Sequence, residues 1–458
     1  MVLTFVFLLP AVSSSVIYYV SPQGDDAADG VSLATPLLTL DAASRRLATG
    51  DTLLLQRGGA WLDETVVGAT TGLTVGSYGD AAAPHPLIQH GRTLNGARPC
   101  AKFTQADGLT VSDLHLSGCS GGLQISGPSS GANATDVLVE RLFFADIRTS
   151  FLEYSPATPT WAVALGLTGG QFKNLTVQNC FAVRIDVFFK SQAHVAGMHL
   201  DSNTVQQCSG NCYALGAGVD LLMENSVFLR DMSTRLFMYG TTDIIVGGLR
   251  GNNAVINTDF NQRGEYQGGP DGCAFDFETG ATGFEIRGNY FFRSWGSGIM
   301  IFGHSQTSHG IKLVDNVFSQ AGCVQNRGDQ GGIAVMCPGG HKPDGLIADN
   351  SFFTCPNISA IFINPAVPGC ADNMTMRNNS ITPVQSPLNN LVAMPQVSFN
   401  PPAPTCNATS GVYNVIGACT TPGATIRYTI DGSRPSESSP IVPLPHGINL
   451  PWPGPALV

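Results

Sequence analysis

Two carboxylates stand two residues apart in the apolar segment CAFDFE, at Asp276 and Glu278. Side chains alternate between the two faces of a strand, so these carboxylates share one face, while Cys273, Phe275 and Phe277 share the other. Because apolar side chains go inward, the alternation predicts that both carboxylates face outward. Their positions lie about 6.6 Å apart along the strand, and side-chain rotamers reach both the retaining spacing of glycosidases, about 5–5.5 Å, and the inverting spacing, about 6.5–9.5 Å. The pair could therefore perform acid–base catalysis on a glycosidic bond, although an acidic, solvated face has the same pattern.

Large apolar side chains occupy the matching positions of two neighbouring strand-like runs, RLFMY and GIMIF. The outward positions hold Phe237 and Tyr239 before the carboxylates, and Met300 and Phe302 after them. A pyranose ring has apolar C–H faces and a hydroxylated rim, so aromatic rings beside carboxylates suit it. Phe237, Tyr239 and Phe302 are therefore predicted to bind a glycan substrate.

A second chemistry, β-elimination from a uronic acid, needs a base and a cation that neutralises the carboxylate of the sugar. The candidate bases are Lys190, Arg263, Arg287 and Arg293. Arg263 and Arg293 are also predicted to bind the substrate. Because Ca²⁺ is a hard cation that prefers oxygen ligands, it would be held by Asp271, Asp276 and Glu278. His304, which follows GIMIF, is a candidate general acid or base, and a solvated loop histidine is the alternative.

An asparagine followed by a small residue or Tyr and then by a hydrophobic residue recurs along the chain. The copies lie at Asn179, Asn225, Asn289, Asn316, Asn350 and the pair Asn378 and Asn379. Between them lie short apolar runs, GLQIS, RLFMY, CAFDF, GIMIF, GIAVM and AIFIN. Self-similarity at intervals of a few tens of residues, without a comparable helical period, predicts a β-solenoid. Its coils would stack, and its corner asparagines would form hydrogen-bonded ladders.

The composition of the chain is poor in charge and rich in glycine. Of 458 residues 12% are charged, against roughly 25% in an average soluble domain, and the 53 glycines suit many tight turns. The net charge is −10 with only 23 Lys plus Arg, which disfavours nucleic acid or an anionic membrane as a partner. No run approaches the roughly 18 apolar residues of a membrane span. We expect a monomer.

Several features indicate secretion. The first residues, MVLTFVFLLPAVSSS, have the apolar stretch and following small residues of a signal peptide. The chain has 12 cysteines, an even number. Cys208 and Cys212 are close in sequence but have no second cysteine pair nearby, as a zinc site would need, so disulfides are favoured. Glycosylation sequons begin at Asn133, Asn174, Asn357, Asn373, Asn378 and Asn407. We expect an extracellular, disulfide-bonded glycoprotein.

The segment from Leu40 to Thr49 is the one predicted helix, with Thr39 as N-cap and Gly50 just past its end. We expect this helix to cap the first coil. The surrounding segment contains the pattern YYVSPxGxDxxxG, then TP, TLxxA and GDTLLLxRGG, at Tyr18–Gly24, Asp26, Gly30, Thr35–Pro36, Thr39–Ala42 and Gly50–Gly59. With this pattern it resembles the N terminus of secreted right-handed parallel β-helix proteins of the pectate-lyase-like superfamily. The resemblance implies this fold and is silent on the substrate.

A Pro-rich stretch, MPQVSFNPPAPT, precedes a second recognisable segment near the C terminus. That segment has an alternating strand, IRYTI, followed by the turn DGS. It resembles the chitobiase/β-hexosaminidase C-terminal module, ATIxYTxDGSxPTxxS, at Ala424, Thr425, Ile426, Tyr428, Thr429, Asp431, Gly432, Ser433, Pro435 and Ser438. The resemblance implies a small β-sandwich of the kind appended to secreted carbohydrate-active enzymes, in which Cys406 and Cys419 are expected to be bridged.

These observations predict an all-β chain in four parts. They are a signal peptide (1–15), a right-handed parallel β-helix with a helical cap (16–393), a Pro-rich linker (394–405) and a β-sandwich module (406–458). Two function classes stay open. One is a secreted hydrolase or lyase that acts on a polysaccharide along the face of the β-helix. The other is a non-catalytic glycan-binding or cell-surface structural protein on the same scaffold.

Overall fold

The computed structural model describes most of the chain between residues 15 and 384, and two short strands beyond. The described ranges are 15–91, 98–148, 162–208, 212–215, 219–224, 226–229, 236–239, 244–246, 254–256, 273–279, 282–292, 294, 296–303, 307–323, 330–384, 412–415 and 448–451. The predicted signal peptide, the Pro-rich linker, Cys406 and Cys419 lie outside them.

Three parallel sheets, here called A, B and C, make up the fold. Sheet A contains Ile17–Val20, Thr52–Gln56, Thr74–Tyr78, Thr110–Ser112, Asn133–Glu140, Gln171–Gln178, His194–Asp201, Val219–Glu224, Ile244–Val246, Glu285–Arg287, Ile311–Val314, Gly345–Ala348 and Met374–Arg377. Sheet B contains Ala60–Leu62, Leu87–Gln89, His115–Ser117, Phe143–Ala145, Phe181–Ile185, Thr204–Cys208, Val227–Leu229, Ala254–Ile256, Tyr290–Phe292, Val317–Ser319, Ser351–Thr354 and Ser380–Pro383. Sheet C contains Val66–Gly68, Pro99–Phe103, Gly121–Ser126, Val163–Thr168, Val187–Ser191, Tyr213–Leu215, Leu236–Tyr239, Phe275–Thr279, Ile299–Ile301, Ile333–Val335 and Ile361–Ile363.

From the second coil onward the chain visits sheets A, B and C in turn, and each strand pairs in parallel with its equivalent one coil away. This path defines a parallel β-helix, which confirms the predicted solenoid. All six of the short apolar runs picked out in the sequence lie on sheet C. Outside the three sheets, Val412–Val415 pairs with Ile448–Pro451 in an antiparallel ladder, and Pro338–Gly340 forms a 3₁₀ turn.

The core fills the inside of the coils, because one face of every strand is apolar. Phe291, Phe318 and Phe352 occupy equivalent inward positions of sheet B in consecutive coils. Their rings stack nearly parallel, with centroids 4.8 and 4.9 Å apart. That distance is the spacing of neighbouring strands, about 4.8 Å. The repeat of the backbone therefore sets the repeat of the core.

The predicted asparagine ladder is present at the corner between sheets A and B. Asn289, Asn316, Asn350 and Asn379 stack there, and the side-chain oxygen of each of the last three accepts from the side-chain amide of the asparagine before it, at 2.9–3.0 Å. Each ladder asparagine follows a residue with positive φ, such as Gly288 or Asp315, which turns the chain between the sheets.

Two of the asparagines predicted for the ladder occupy the turn position instead. Asn179 and Asn378 both have a φ of 53° and are exposed. In the last pair, Asn379 is therefore the ladder residue, because the turn needs the left-handed conformation one residue earlier. Asn225 lies outside the described residues.

The helix is shorter than predicted and covers Leu40–Ser44. Thr39 is its N-cap as expected, and its hydroxyl accepts from the amide of Ala42 at 3.1 Å. The Asp51 carboxylate accepts from the amides of Ala48 and Val16 at 2.7 and 2.8 Å. These bonds hold the segment before Asp51 in a turn, which explains why the helix does not continue. The role of the helix as a cap stays a prediction.

Six of the cysteines form three disulfides, which confirms part of the expected framework. The pairs are Cys100–Cys119, Cys323–Cys355 and Cys337–Cys370. The other described cysteines are buried at Cys180, Cys208, Cys212 and Cys273. Among the described residues, no helix is long and apolar enough to cross a membrane.

The five sequon asparagines that the structure describes are all exposed, at Asn133, Asn174, Asn357, Asn373 and Asn378. We expect Asn378 to carry a glycan when the chain is secreted from a eukaryotic host, because its side chain points away from the ladder. Enzymatic deglycosylation followed by peptide mass spectrometry should show the conversion of Asn378 to Asp. Complete absence of this conversion, with glycans present at the other sequons, would contradict the assignment of Asn378 to the turn.

Candidate functional site

One of the two predicted sets of outward positions is aligned across neighbouring strands of sheet C. Phe237 is in register with Asp276, and Asp276 is in register with Met300. The row continues to Ala334 and Phe362. We call these positions, which are aligned from strand to strand, the outer row of sheet C. The register shifts beyond Met238, so Tyr239 pairs with Thr279 and not with Glu278.

The two faces of the central strand are separated as alternation requires. Phe275 and Phe277 are fully buried in the main core, where they contact Phe291 and Phe284 with ring centroids 5.1 and 3.9 Å apart. Asp276, between them, is on the opposite face. The expectation that this carboxylate is solvent-exposed is wrong, however, because Asp276 is only 1% exposed.

A second apolar cluster explains part of this burial. Met300, the register partner of Asp276, lies in a cluster with Cys273 and Ala334 that is separate from the main core. The partly buried residues packed against it are Phe302, Met336 and Phe362. We call this group the outer cluster. It places a carboxylate at the edge of an apolar patch on the outside of sheet C.

Cys273 belongs to this outer cluster, which corrects its predicted place beside Phe275 and Phe277. The strand begins at Phe275, so the alternation does not extend back to Cys273. Its thiol sulfur lies 3.9 Å from the Met300 sulfur and accepts from the Ser297 hydroxyl at 3.4 Å. The cysteine therefore packs with Met300, the register partner of Asp276.

The structure describes some of the other predicted site residues in full, some only by their strand position, and some not at all. Phe302 is partly buried and packs against the outer cluster, and its predicted role in binding substrate stays a prediction. For Phe237, Tyr239 and Glu278 the structure gives strand positions on sheet C. Four predicted residues lie outside the described part of the chain, namely Arg263, Asp271, Arg293 and His304.

The structure describes the positions of two candidate bases, Arg287 and Lys190, and both lie away from Asp276. Arg287 is on sheet A, where it pairs with Glu285 at 2.6 Å, so it does not contribute to the face of sheet C. Lys190 is in the outer row, but three coils from Asp276. That separation is about 14 Å along the axis.

The outer row also contains polar residues that the sequence analysis did not select. Lys102 and Gln124 precede Lys190 in the same register. The sequence signal was the alternation in AKF and LQI, where one polar residue lies between two inward apolar ones, and in FFKS, where Lys190 lies between the buried Phe189 and Ser191. The row therefore changes from polar and cationic in the early coils to acidic and apolar around Asp276.

The sheets, the ladder and the separate inner and outer faces define the class of this protein as a parallel β-helix. Among solved structures, it resembles the GH136 lacto-N-biosidase from Eubacterium ramulus with a TM-score of 0.59 and 16% identity, over 81% of this chain and 68% of that one. The native form of the same enzyme gives 0.58 and 16%, over 80% and 68%. Pectate lyase Pel9A gives 0.41 and 14%, over 81% and 80%. At these identities the likeness concerns the fold.

Residues 408–444 match the chitobiase/beta-hexosaminidase C-terminal domain family. This match supports the resemblance found at the DGS turn and covers only that part of the chain. No curated protein is similar to the chain by sequence at a significant level.

Proposed function

We propose that this protein is a secreted, carbohydrate-active enzyme that cleaves a glycan on the outer face of sheet C, around Asp276. The observation that carries the proposal is the burial of the Asp276 carboxylate, which is 1% exposed on the outside of the coil. Burying an acidic group costs free energy that packing alone does not return. Carboxylates with this degree of burial in a surface cluster are typical of working sites.

The apolar neighbours of Asp276 suit a sugar ring. Phe302 is partly buried and packs against the cluster that contains Met300, the register partner of Asp276, and Phe237 precedes Asp276 in the row. A pyranose can place its C–H face on such a surface while its glycosidic oxygen meets the carboxyl group. This face of sheet C would thus combine a binding surface with one acid–base group.

In this proposal Asp276 acts as the general acid that protonates the leaving oxygen. Glu278 is the second carboxylate, acting as nucleophile or as the base that activates water, and His304 assists the proton transfer. Alternation along a strand would put Asp276 and Glu278 on a common face, at positions about 6.6 Å apart. Phe237, Tyr239, Arg263, Arg293 and Phe302 would bind and orient the substrate.

Hydrolysis is favoured over β-elimination by the charges of the outer row. Elimination requires a cation next to the carboxylate of a uronic acid. Among the described residues of this row, the cation nearest to Asp276 is Lys190, three coils away. A neutral sugar has no such requirement, so we propose a hydrolase for a neutral glycan.

Ca²⁺ fits the described surroundings of Asp276 poorly. The ion takes roughly six to eight oxygen ligands, whereas the described neighbours in the outer cluster are thioethers, a thiol and apolar groups. Asp271 and Glu278 would have to supply the remaining ligands. The proposed reaction therefore contains no step that depends on the ion.

A substrate panel tests the proposal and separates the reaction classes. The purified full chain is incubated with lacto-N-tetraose, neutral plant and microbial glycans, polygalacturonate and alginate, each with Ca²⁺ and with chelator. We expect new reducing ends from a neutral glycan, without ultraviolet absorbance of an unsaturated product and without dependence on Ca²⁺. Unsaturated products from an acidic polymer would instead establish a lyase.

A non-catalytic glycan-binding protein is the second candidate, and the outer cluster is the observation that favours it. Phe302, Met336 and Phe362 are the partly buried apolar residues of this cluster, and they could hold a sugar without reacting with it. In that case a panel glycan would bind to the chain, and none would be cleaved.

A further inference from the structure

Three rings form a column on the outer face of sheet B, away from the face of sheet C proposed for catalysis. His115, Phe143 and Phe181 are register partners in three consecutive coils. Their neighbours Leu116, Phe144 and Ala182 are fully buried in the core, so alternation directs the three rings outward. All three rings are half-buried. We call this column the ring platform.

The rings are in contact and make a continuous surface. The centroids of His115 and Phe143 are 4.4 Å apart with planes tilted by 41°, and those of Phe143 and Phe181 are 5.4 Å apart with a tilt of 39°. The platform spans two coil spacings, about 9.6 Å, which is comparable to the length of a disaccharide. Burial lowers the pKa of His115 to about 3, so this ring is uncharged at neutral pH.

A rigid ion pair borders the platform on each side. At the corner between sheets A and B, Arg141 donates two hydrogen bonds to Asp113, at 3.0 and 2.8 Å. At the corner between sheets B and C, Arg184 donates two to Asp146, both at 2.7 Å. All four residues have positive φ, between 52° and 58°, because each one turns the chain at its corner.

These pairs stay accessible to solvent while their geometry is fixed. The Arg141 side chain is 47% exposed, and those of Arg184 and Asp146 are 25% and 29% exposed. The exposed parts of these pairs place guanidinium N–H groups and carboxylate oxygens at the surface, where they can hydrogen-bond to a ligand. Adjacent hydroxyl groups of a sugar, which both donate and accept, match such a pair.

The charge of the platform selects among possible ligands. Two arginines and two aspartates give a net charge of zero across both edges. Arg57 and Glu140, which pair with Asp113 and Arg141, add one charge of each sign. This balance disfavours polyanions such as nucleic acid or polyuronates. Aromatic faces between neutral, hydrogen-bonding edges are complementary to an uncharged pyranose.

We propose that the ring platform is a second, non-catalytic binding site for a neutral glycan. Two adjacent pyranose residues lie along the helix axis on Phe143 and Phe181, and their hydroxyl groups bind the Asp113–Arg141 and Asp146–Arg184 pairs. The site is independent of the proposed reaction, because it uses a different sheet. It would hold a long or insoluble substrate against the protein during cleavage elsewhere.

Binding measurements on the full chain test this proposal. Cello-, xylo-, chito- and lacto-N-tetraose are the probes, with trigalacturonate as the acidic comparison, and binding is followed by calorimetry and saturation-transfer NMR. We expect at least one neutral tetrasaccharide to bind, both to the wild type and to Asp276→Asn. The combined change Phe143→Ala and Phe181→Ala should weaken this binding at least about tenfold.

Two further variants separate loss of the site from loss of the fold. Arg184→Lys keeps the charge but loses the planar, bidentate geometry, so binding should weaken while the melting temperature changes little. Val317→Ala removes side-chain volume at the equivalent outward position of sheet B, five strands beyond Phe181, and should bind like the wild type. The proposal is overturned if no neutral probe binds, if binding is lost in Asp276→Asn but kept in the ring variant, or if the platform proves to hold a second copy of the chain in sedimentation.

Discussion

Phe275→Ala is expected to lower the free energy of unfolding by about 3–5 kcal/mol. Phe275 is fully buried, and its ring meets that of Phe291 edge to face, with centroids 5.1 Å apart. The stacked strands on either side cannot move inward to fill the space, because their spacing is fixed by the hydrogen bonds of sheet C. Chemical denaturation, followed by intrinsic fluorescence, measures the change.

The neighbouring residue provides the matched control. Asp276→Asn conserves volume and lies on the other face of the strand, so it should lower the free energy of unfolding much less than Phe275→Ala. The reverse order, with a stable Phe275→Ala and an unfolded Asp276→Asn, would mean that the faces of this strand are assigned backwards.

Asn350→Ala is expected to destabilise the protein by at least about 3 kcal/mol, since it removes several buried hydrogen bonds at once. The side-chain amide donates to the carbonyls of Leu313 and Ala348 and to the side chain of Asn379, at 2.8–3.0 Å. Its oxygen accepts from both the backbone and the side chain of Asn316, at 3.0 Å. The substitution leaves these partners buried and without hydrogen bonds, which is costlier than losing the bonds alone.

Asn378→Gly is the control for the ladder. Asn378 occupies the turn with positive φ, a conformation that glycine adopts readily, and it is exposed. We expect a change within about 1 kcal/mol. If both variants melted like the wild type, the ladder would not contribute to the stability of the coils.

Much of the fold could be predicted because each coil repeats the same local requirements. The six apolar runs on sheet C, the inward direction of Phe275 and Phe277, and the ladder from Asn289 to Asn350 follow from alternation and repetition. The N-terminal motif then indicated which kind of solenoid it is, a right-handed parallel β-helix. None of these inferences needed contacts between distant parts of the chain.

The predictions that were wrong concern features that depend on contacts between distant parts of the chain, or on a shift of a single residue. The helix stops at Ser44 because Asp51 binds the amides of Ala48 and Val16, and nothing local to residues 40–49 contains that information. Alternation gave the face of Asp276 but not its burial, which depends on what lies over that face. The asparagine pattern could not distinguish a turn residue such as Asn179 from a ladder residue, because the two positions differ by one residue and Asn is suited to both.

The most direct test of the proposed site is the kcat/KM of Asp276→Asn combined with Glu278→Gln, on the glycan that the panel identifies. Asp349→Asn is the matched control, since Asp349 is an exposed turn residue with a φ of 58°, a conformation that Asn adopts readily. The amides keep the shape of the carboxylates but cannot exchange protons, so we expect a loss of about 10²- to 10⁴-fold with the fold intact. Wild-type kcat/KM in the folded double-amide variant would contradict the account and place the chemistry elsewhere on the protein.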